Sequence, residues 1–458
     1  MPPGLWLWWR ADLRGGWYAE CDEGRVALVR LPSWRDDPAS DKNSEEGSED
    51  EEEEEEKAVR IFRAPGGRAE GSIEDVLIDP GQDLVVLITR TPDGSCLTVH
   101  FLTLHGLPHP SAHAPTLTYL QTWAGDFPGV KLFASSLSRS LLAIVVLSFL
   151  GRTRLNELVV WDWRTGCERR RKTGWRHYET LAFIAERSIV AGCMTGAGPT
   201  LDVYTIDADA DDAPSAQKGP EDDGGIHLSH SLALPQLREE IRLSLHFSPN
   251  RSTPAPTAYP WYCPPTQQLL AVTLRPSRVT SRVAESGLYM LFLLASTLLH
   301  PPGLDTLPLP SLEGEPEPEA PPIPWPAWGP EHTRLIPLDP LPHPSGTGFT
   351  HNTRAVFPLP ASAGSAKFCI VDFSSHALLR DPHAGDVREE EVLPRNPFWQ
   401  GEVVTRLPYR RAETDEREGL VVWAWLDEER LVLVRREDLG TGEGGGRVLR
   451  SLLEVLIM

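Results

Sequence analysis

With 458 residues the chain is long enough for about three domains, although one ring of β blades absorbs such a length in a single domain. Its net charge is −21, and no Lys/Arg stripe offsets it, which argues against a nucleic-acid backbone as the main partner. The 43 prolines and 37 glycines imply many turns, and 15 tryptophans with 13 phenylalanines imply a packed interior.

The chain opens on an apolar patch at 5–9, with no Lys/Arg before it and too few residues for the apolar core of a secretory signal. Strands are expected at 26–31 and 59–62. Between them 36–57 is polar, then acidic, with ten acids and no base in 45–56; it reads as a disordered, self-repelling loop. The next strands, 75–78, 84–89 and 96–102, are punctuated by the turns Asp79-Pro80-Gly81-Gln82 and Pro92-Asp93-Gly94. The same order returns at 130–134, 141–147 and 158–163. The basic cluster Arg169-Arg170-Arg171-Lys172 after it reads as a solvated hairpin edge that discourages edge pairing.

A third unit, 180–184, 188–193 and 201–206, ends in a polar loop at 207–225. A fourth follows at 243–247, 269–274 and 288–294. The longest apolar run, 288–299, is too short to cross a bilayer, which needs about 20 residues, and no membrane association is expected. The segment 301–330 is rich in Pro and Glu and is expected to be extended and unstructured apart from Trp325 and Trp328. Strands resume at 355–359 and 367–373 in a unit opening at Arg334, then at 403–407, 420–425 and 431–435. The end, 447–458, suits a closing strand slightly better than a helix.

These short runs, rich in β-branched and aromatic residues and separated by turn residues, repeat one supersecondary unit. A lone sheet of three or four strands cannot bury both faces, so such units stack. The expected fold is all-β: one irregular six- or seven-bladed β-propeller over 1–458, WD-repeat-like, with disordered loop insertions at 36–57, 207–225 and 301–330. The clearest repeat phrase is Leu158-Val159-Val160-Trp161-Asp162-Trp163. Leu201-Asp202-Val203-Tyr204 and Phe368-Cys369-Ile370-Val371-Asp372-Phe373 read as looser copies, with Asp162 and Asp372 capping turns and bracing neighbouring strands.

No catalytic constellation emerges. Gly440-Thr441-Gly442-Glu443-Gly444-Gly445 fits the dinucleotide spacing, but the chain after it has no room for the helix, second strand and ribose-binding acid that function requires. Phosphate-loop, nucleophile-elbow and zinc-protease motifs are absent. The six cysteines (Cys21, Cys96, Cys167, Cys193, Cys263, Cys369) form no C-x-x-C and suggest reduced, mostly buried thiols in a cytoplasmic or nuclear protein. No catalytic, cofactor or metal residues are expected, and the partner-binding residues are unknown. The Trp-rich phrases Trp325-Pro326-Ala327-Trp328-Gly329-Pro330 and Pro397-Phe398-Trp399 read as plugs between loops and the sheet beneath.

Four phrases together carry a resemblance. They are Val76-Leu77-Ile78-Asp79-Pro80-Gly81-Gln82-Asp83-Leu84-Val85-Val86-Leu87; Trp161-Asp162-Trp163 with Thr165-Gly166; Trp328-Gly329-Pro330 with Thr333-Arg334; and Ile370-Val371-Asp372-Phe373. In this order the chain resembles the C-terminal propeller-like region of F-box proteins of mushroom-forming fungi, over roughly 24–373. The helical F-box segment itself is not found in the sequence. The resemblance implies a non-enzymatic scaffold that recognises protein substrates for ubiquitin ligation; adaptor binding, which belongs to the F-box, is not carried over. Two alternatives stand beside it. One is a propeller hydrolase or lactonase with a metal in its channel, and the other is a degenerate relative with no retained partner.

Overall fold

The computed structural model describes residues 11–22, 24–32, 59–65, 72–120, 130–150, 153–172, 176–207, 225–248, 265–279, 284–302, 321–338, 349–362, 365–375, 378, 386–394, 397–418, 421–427, 430–441 and 447–457. They form antiparallel sheets with only two short α-helices, Ala295–Leu299 and Trp325–His332. Sheets of blade type follow one another along the chain, and the fold class is that of a seven-bladed β-propeller.

The chain divides into two compact units. The first, mainly Met1–Gly174, holds three four-stranded blades. Blade 1 is Ala11–Arg14, Trp17–Asp22, Arg25–Arg30 and Val59–Arg63. Blade 2 is Ser72–Asp79, Leu84–Arg90, Cys96–Leu102 and Thr116–Leu120. Blade 3 is Val130–Ser138, Leu141–Leu150, Thr153–Asp162 and Glu168–Lys172.

The second unit, mainly Trp175–Pro254 and Tyr259–Leu456, holds four more blades. Blade 4 runs His177–Ala185, Ser188–Thr195, Gly198–Ile206 and Ile226–Ala233. Blade 5 runs Ile241–Ser248, Leu269–Val279, Leu288–Leu294 and Thr333–Leu338. Blade 6 is built on Phe349–His351, Arg354–Leu359, Ser365–Asp372 and Tyr409–Glu413. Blade 7, among the described residues, comprises Val421–Leu426, Arg430–Thr441 and Arg447–Ile457.

The uninterrupted apolar runs of the second strands follow from burial on both faces. In Leu84–Arg90 the side chains of Leu84, Val86 and Ile88 join a core shared with blade 3, where Ile144, Trp161 and Trp163 lie. Val85 and Leu87 join a core shared with blade 1, with Val26 and Leu28. Blade 5 repeats the arrangement: Leu270, Val272 and Leu274 point to one core, and Leu269 and Ala271 to another containing Phe292 and Phe357.

Several expectations are corrected. The Pro/Glu-rich segment 301–330 is not unstructured throughout, because Trp325 begins a helix with Pro at its first turn, where a missing N–H is harmless. Arg334 does not open blade 6; its strand closes blade 5 against Leu288–Leu294. The insertion between these two strands hides their pairing in sequence. The first described strand of blade 1 is Ala11–Arg14, and Gly15 and Gly16, with φ of +54° and +74°, supply the hairpin turn after it. The C-terminal run is a strand, Arg447–Ile457. Residues 36–57, 208–224, 303–320 and 442–446 lie outside the described residues, and with them most of the three predicted loops and of the Gly440–Gly445 motif.

Candidate functional site

The phrases singled out in the sequence of unit 1 converge on one set of strand-connecting turns. Pro80–Gln82 forms a 3₁₀ turn closed by Asp83 at φ +54°. The Asp83 carboxylate accepts the Leu104 amide at 3.0 Å. Gln82 is the hub: its side-chain amide donates to Asp79 Oδ2 (2.9 Å) and to the Arg139 carbonyl (3.0 Å). Its Oε1 accepts from Arg164 (2.5 Å), and its main-chain carbonyl lies 3.0 Å from His109 Nε2. Asp79 in turn faces Arg14 of blade 1 at 3.5 Å, both groups buried.

Asp162 ends the third strand of blade 3. Its Oδ1 accepts the amides of Arg164 (2.9 Å) and Thr165 (3.2 Å), and Oδ2 accepts the Ser140 hydroxyl (3.1 Å). An Asp that bonds the backbone two residues on fixes a turn locally. Gly166 sits at φ +73°, and a Cβ there would lie 2.5 Å from the His113 ring. Trp163 is fully buried, stacked on Phe101 and edge-on to His109, and its indole N–H bonds the Arg139 carbonyl at 2.9 Å. The W-D-W-x-T-G phrase is thus a fastener between blades 2 and 3.

Asp372 repeats the device in blade 6. Its Oδ1 accepts the Thr353 hydroxyl at 3.1 Å and the Ser374 amide at 2.8 Å. In both corners the next residue donates its amide to the hydroxyl residue's carbonyl, Trp163 to Ser140 and Phe373 to Thr353, each at 2.9 Å. Blade 4 makes the matching bond from Ile206 to Arg187, so Thr205 occupies the acid's place. Asp202 is therefore not a copy of Asp162. It lies mid-strand, fully buried, paired with Arg176, whose Nη1 is also 3.5 Å from Ser231 Oγ. Burial, then the Asp202 charge, pushes the neighbouring Cys193 thiol well above its ordinary pKa. The Tyr178 hydroxyl donates to Tyr204 at 2.7 Å.

The remaining phrase builds a clasp in unit 2. Trp328 is buried and donates its indole N–H to the Ala233 carbonyl at 2.9 Å. The Trp325 ring lies where a Cβ on Gly329 would be, which accounts for the glycine. The Thr333 hydroxyl closes onto the Gly329 carbonyl at 2.7 Å. Arg334, fully buried, donates to three carbonyls: Leu407 (2.8 Å), Arg388 (3.1 Å) and Glu389 (2.8 Å). Its guanidinium lies 5.0 Å over Tyr409, and burial lowers its pKa. Phe398 and Trp399 pack edge-on against Tyr289, so both Trp-rich phrases plug the sheet.

The basic cluster is only partly the solvated edge expected. Glu168–Lys172 is an edge strand, but Arg169 is buried. Arg170 pairs with Glu168, stands 3.9 Å from the buried Glu157, and lies over the Tyr119 ring. The Tyr119 hydroxyl donates to Glu157 at 2.5 Å, and burial raises its pKa. Neither this network nor Arg176–Asp202 has a local sequence signature, because the partners come from different strands. Of the described cysteines, Cys193 and Cys369 are buried, whereas Cys21, Cys96 and Cys167 are half-buried; none of the five is in a disulfide. Burial pushes the Cys369 thiol up to about 12.

Among the described residues no group of three or more His, Cys, Asp or Glu side chains is placed to hold a metal ion. No helix among them is long and apolar enough to cross a membrane. The class that fold and turns define is an irregular β-propeller whose distinctive phrases fasten strands and blades. No family model matches the chain, and no curated protein does. Among solved structures, the polysaccharide lyase Uly1 is 9% identical, with a TM-score of 0.40 over 98% of this chain and 89% of that one. The Pyrococcus horikoshii acylaminoacyl peptidase is 10% identical, with a TM-score of 0.22 over 71% of this chain and 51% of that one. The fold assignment rests on the strand pairing described above.

Proposed function

We propose that the chain is a non-enzymatic protein-interaction scaffold of the cytoplasm or nucleus, resembling the substrate-recognition propeller of fungal F-box proteins in ubiquitin ligation. The observation that carries this reading is how the phrases of the resemblance are used. Asp79, Gln82, Asp162, Asp372 and Arg334 bind turns, carbonyls and one another. A family that shares these residues shares a rigid frame, and function then rests on the surfaces the frame displays.

The test is affinity purification of the tagged chain from cells of a mushroom-forming fungus, read by mass spectrometry. Cullin-ligase subunits or a reproducible client protein are expected. Recovery of neither, in repeated purifications, overturns the reading in favour of a degenerate relative.

A further inference from the structure

The fourth strand of blade 1, Val59–Arg63, is the edge of its sheet. Its register places Val59 opposite Val29, Ile61 opposite Ala27 and Arg63 opposite Arg25. The bond from the Ala64 amide to the Gly24 carbonyl, 2.9 Å, sets the phase of the ladder. Hydrogen-bonded positions alternate in an antiparallel pair, so Phe62 and Arg60 spend their backbone groups on the sheet. Val59, Ile61 and Arg63 therefore turn their N–H and C=O groups outward. The same residues have exposed side chains, with Val59 48% and Ile61 66% accessible.

The fourth strands of blades 2 to 5 are blunted or covered. Thr116–Leu120 alternates threonine with apolar residues at its start, with both threonines exposed, and Glu168–Lys172 is charged throughout. Leu232 of Ile226–Ala233 is bridged in parallel by Ile323. Thr333–Leu338 is buried at every position but one. An open apolar edge is a template for another strand, and proteins normally suppress it. Among the described residues no strand pairs with the outer edge of blade 1, and that edge adds a charge feature. Arg25 and Arg63, both exposed, stand directly opposite each other, and neither forms an ion pair among the described residues. Like charges so placed repel, and a carboxylate set between them relieves the repulsion. Arg60, on the other face, is stacked over Trp17.

We propose that Val59–Arg63 is a strand-addition site for an extended segment of a partner protein. The segment pairs its backbone with Val59, Ile61 and Arg63, lays apolar side chains at alternate positions beside Val59 and Ile61, and places a carboxylate between Arg25 and Arg63. Main-chain bonds supply affinity, and the alternate side chains and the acid supply selectivity. The inference rests on the scaffold reading above and names the partner that reading lacks.

The probe is a fluorescein-labelled nonapeptide of alternating valine and threonine with glutamate at both ends, so that either strand direction brings an acid to Arg63. Fluorescence anisotropy with the full chain is expected to show saturable binding that weakens with salt. A lysine-ended peptide should bind about tenfold more weakly. Arg63→Glu should reverse that preference. Ile61→Pro removes an outward N–H that the sheet does not use, so the fold should keep its melting temperature while both peptides lose about tenfold or more. The inference is overturned by the absence of saturable binding, by binding indifferent to both substitutions, or by concentration-dependent self-pairing of the chain as the sole event at this edge. Partners that purify equally well with Ile61→Pro would keep the scaffold and remove the edge as its site.

Discussion

His230 sits in the last strand of blade 4 with Nε2 2.8 Å from the Leu298 carbonyl, so that nitrogen carries the proton, and Nδ1 accepts from Ser229 at 3.1 Å. Its burial lowers its pKa, and His246 in blade 5 is pushed further down, to about 4, by withdrawal from water and then by the Arg275 charge. A histidine whose folded pKa is depressed is protonated first in the unfolded chain. Its contribution to stability is therefore complete above the unfolded value of about 6.5. That contribution is lost as pH falls toward the folded value. Replacing His246 with Gln should flatten the fall in melting temperature between about pH 7 and about pH 5. An unchanged slope relative to the parent chain, followed by circular dichroism, would remove His246 as a source of acid lability.

The turn-capping aspartates make a second prediction at the same scale. Asp372→Ala strands the Ser374 amide and the Thr353 hydroxyl and should cost about 1–2 kcal/mol in urea unfolding. Asp372→Asn keeps an acceptor oxygen and should cost less than half of that. Equal losses in the two variants would show that charge, not the hydrogen bonds, matters there. Asp162 and Asp372 were legible in the sequence because each closes an apolar phrase before an aromatic residue. Asp202 follows an apolar residue too and looks like a copy, yet the register of Ile206 with Arg187 sets it three residues away from the corner. A phrase records residue types, and only strand pairing says which end of the strand they occupy.

Among the elements, the span from Trp325 to Arg334 joins a helix to the closing strand of blade 5 and anchors both by side chains. Arg334 holds three carbonyls with a planar fork that a lysine does not reproduce. Arg334→Lys should destabilise by about 2 kcal/mol, and Arg334→Leu, which strands all three acceptors, by about 3 kcal/mol or more. Denaturant titration monitored by tryptophan fluorescence reads both, and a leucine variant as stable as the parent would show that the carbonyls find other donors. The second and third strands of most blades could be read directly, since burial on two faces gives long runs of Leu, Ile and Val. The fourth strands could not: Thr116–Leu120 and Ile226–Ala233 mix polar with apolar residues, and Glu168–Lys172 is charged throughout. The short strand Ala11–Arg14 was hidden for another reason, because it carries buried charges. Asp12 accepts the Ile78 amide at 2.8 Å from the next blade, a contact that no local pattern announces.

For the whole molecule the governing quantity is charge. The net charge is −21, and the run 45–56 supplies ten acids and no base, which leaves −21 + 10 = −11 for the rest. Self-repulsion of this size destabilises the compact state, and salt relieves it over a Debye length of about 10 Å at about 0.1 M. Raising sodium chloride from about 10 mM to about 150 mM should therefore raise the melting temperature. Repulsion grows with the square of net charge in a simple charged-sphere picture, and (11/21)² is about 0.3. A chain lacking 45–56 should then show about a third of the parent's salt response, provided the run adds its charge to the folded body. Should the two responses coincide in differential scanning fluorimetry, the acidic run is electrostatically separate from the fold. The salt response would then belong to exposed charges on the blades, since paired groups such as Arg14 with Asp79 and Arg176 with Asp202 are too buried for screening to reach.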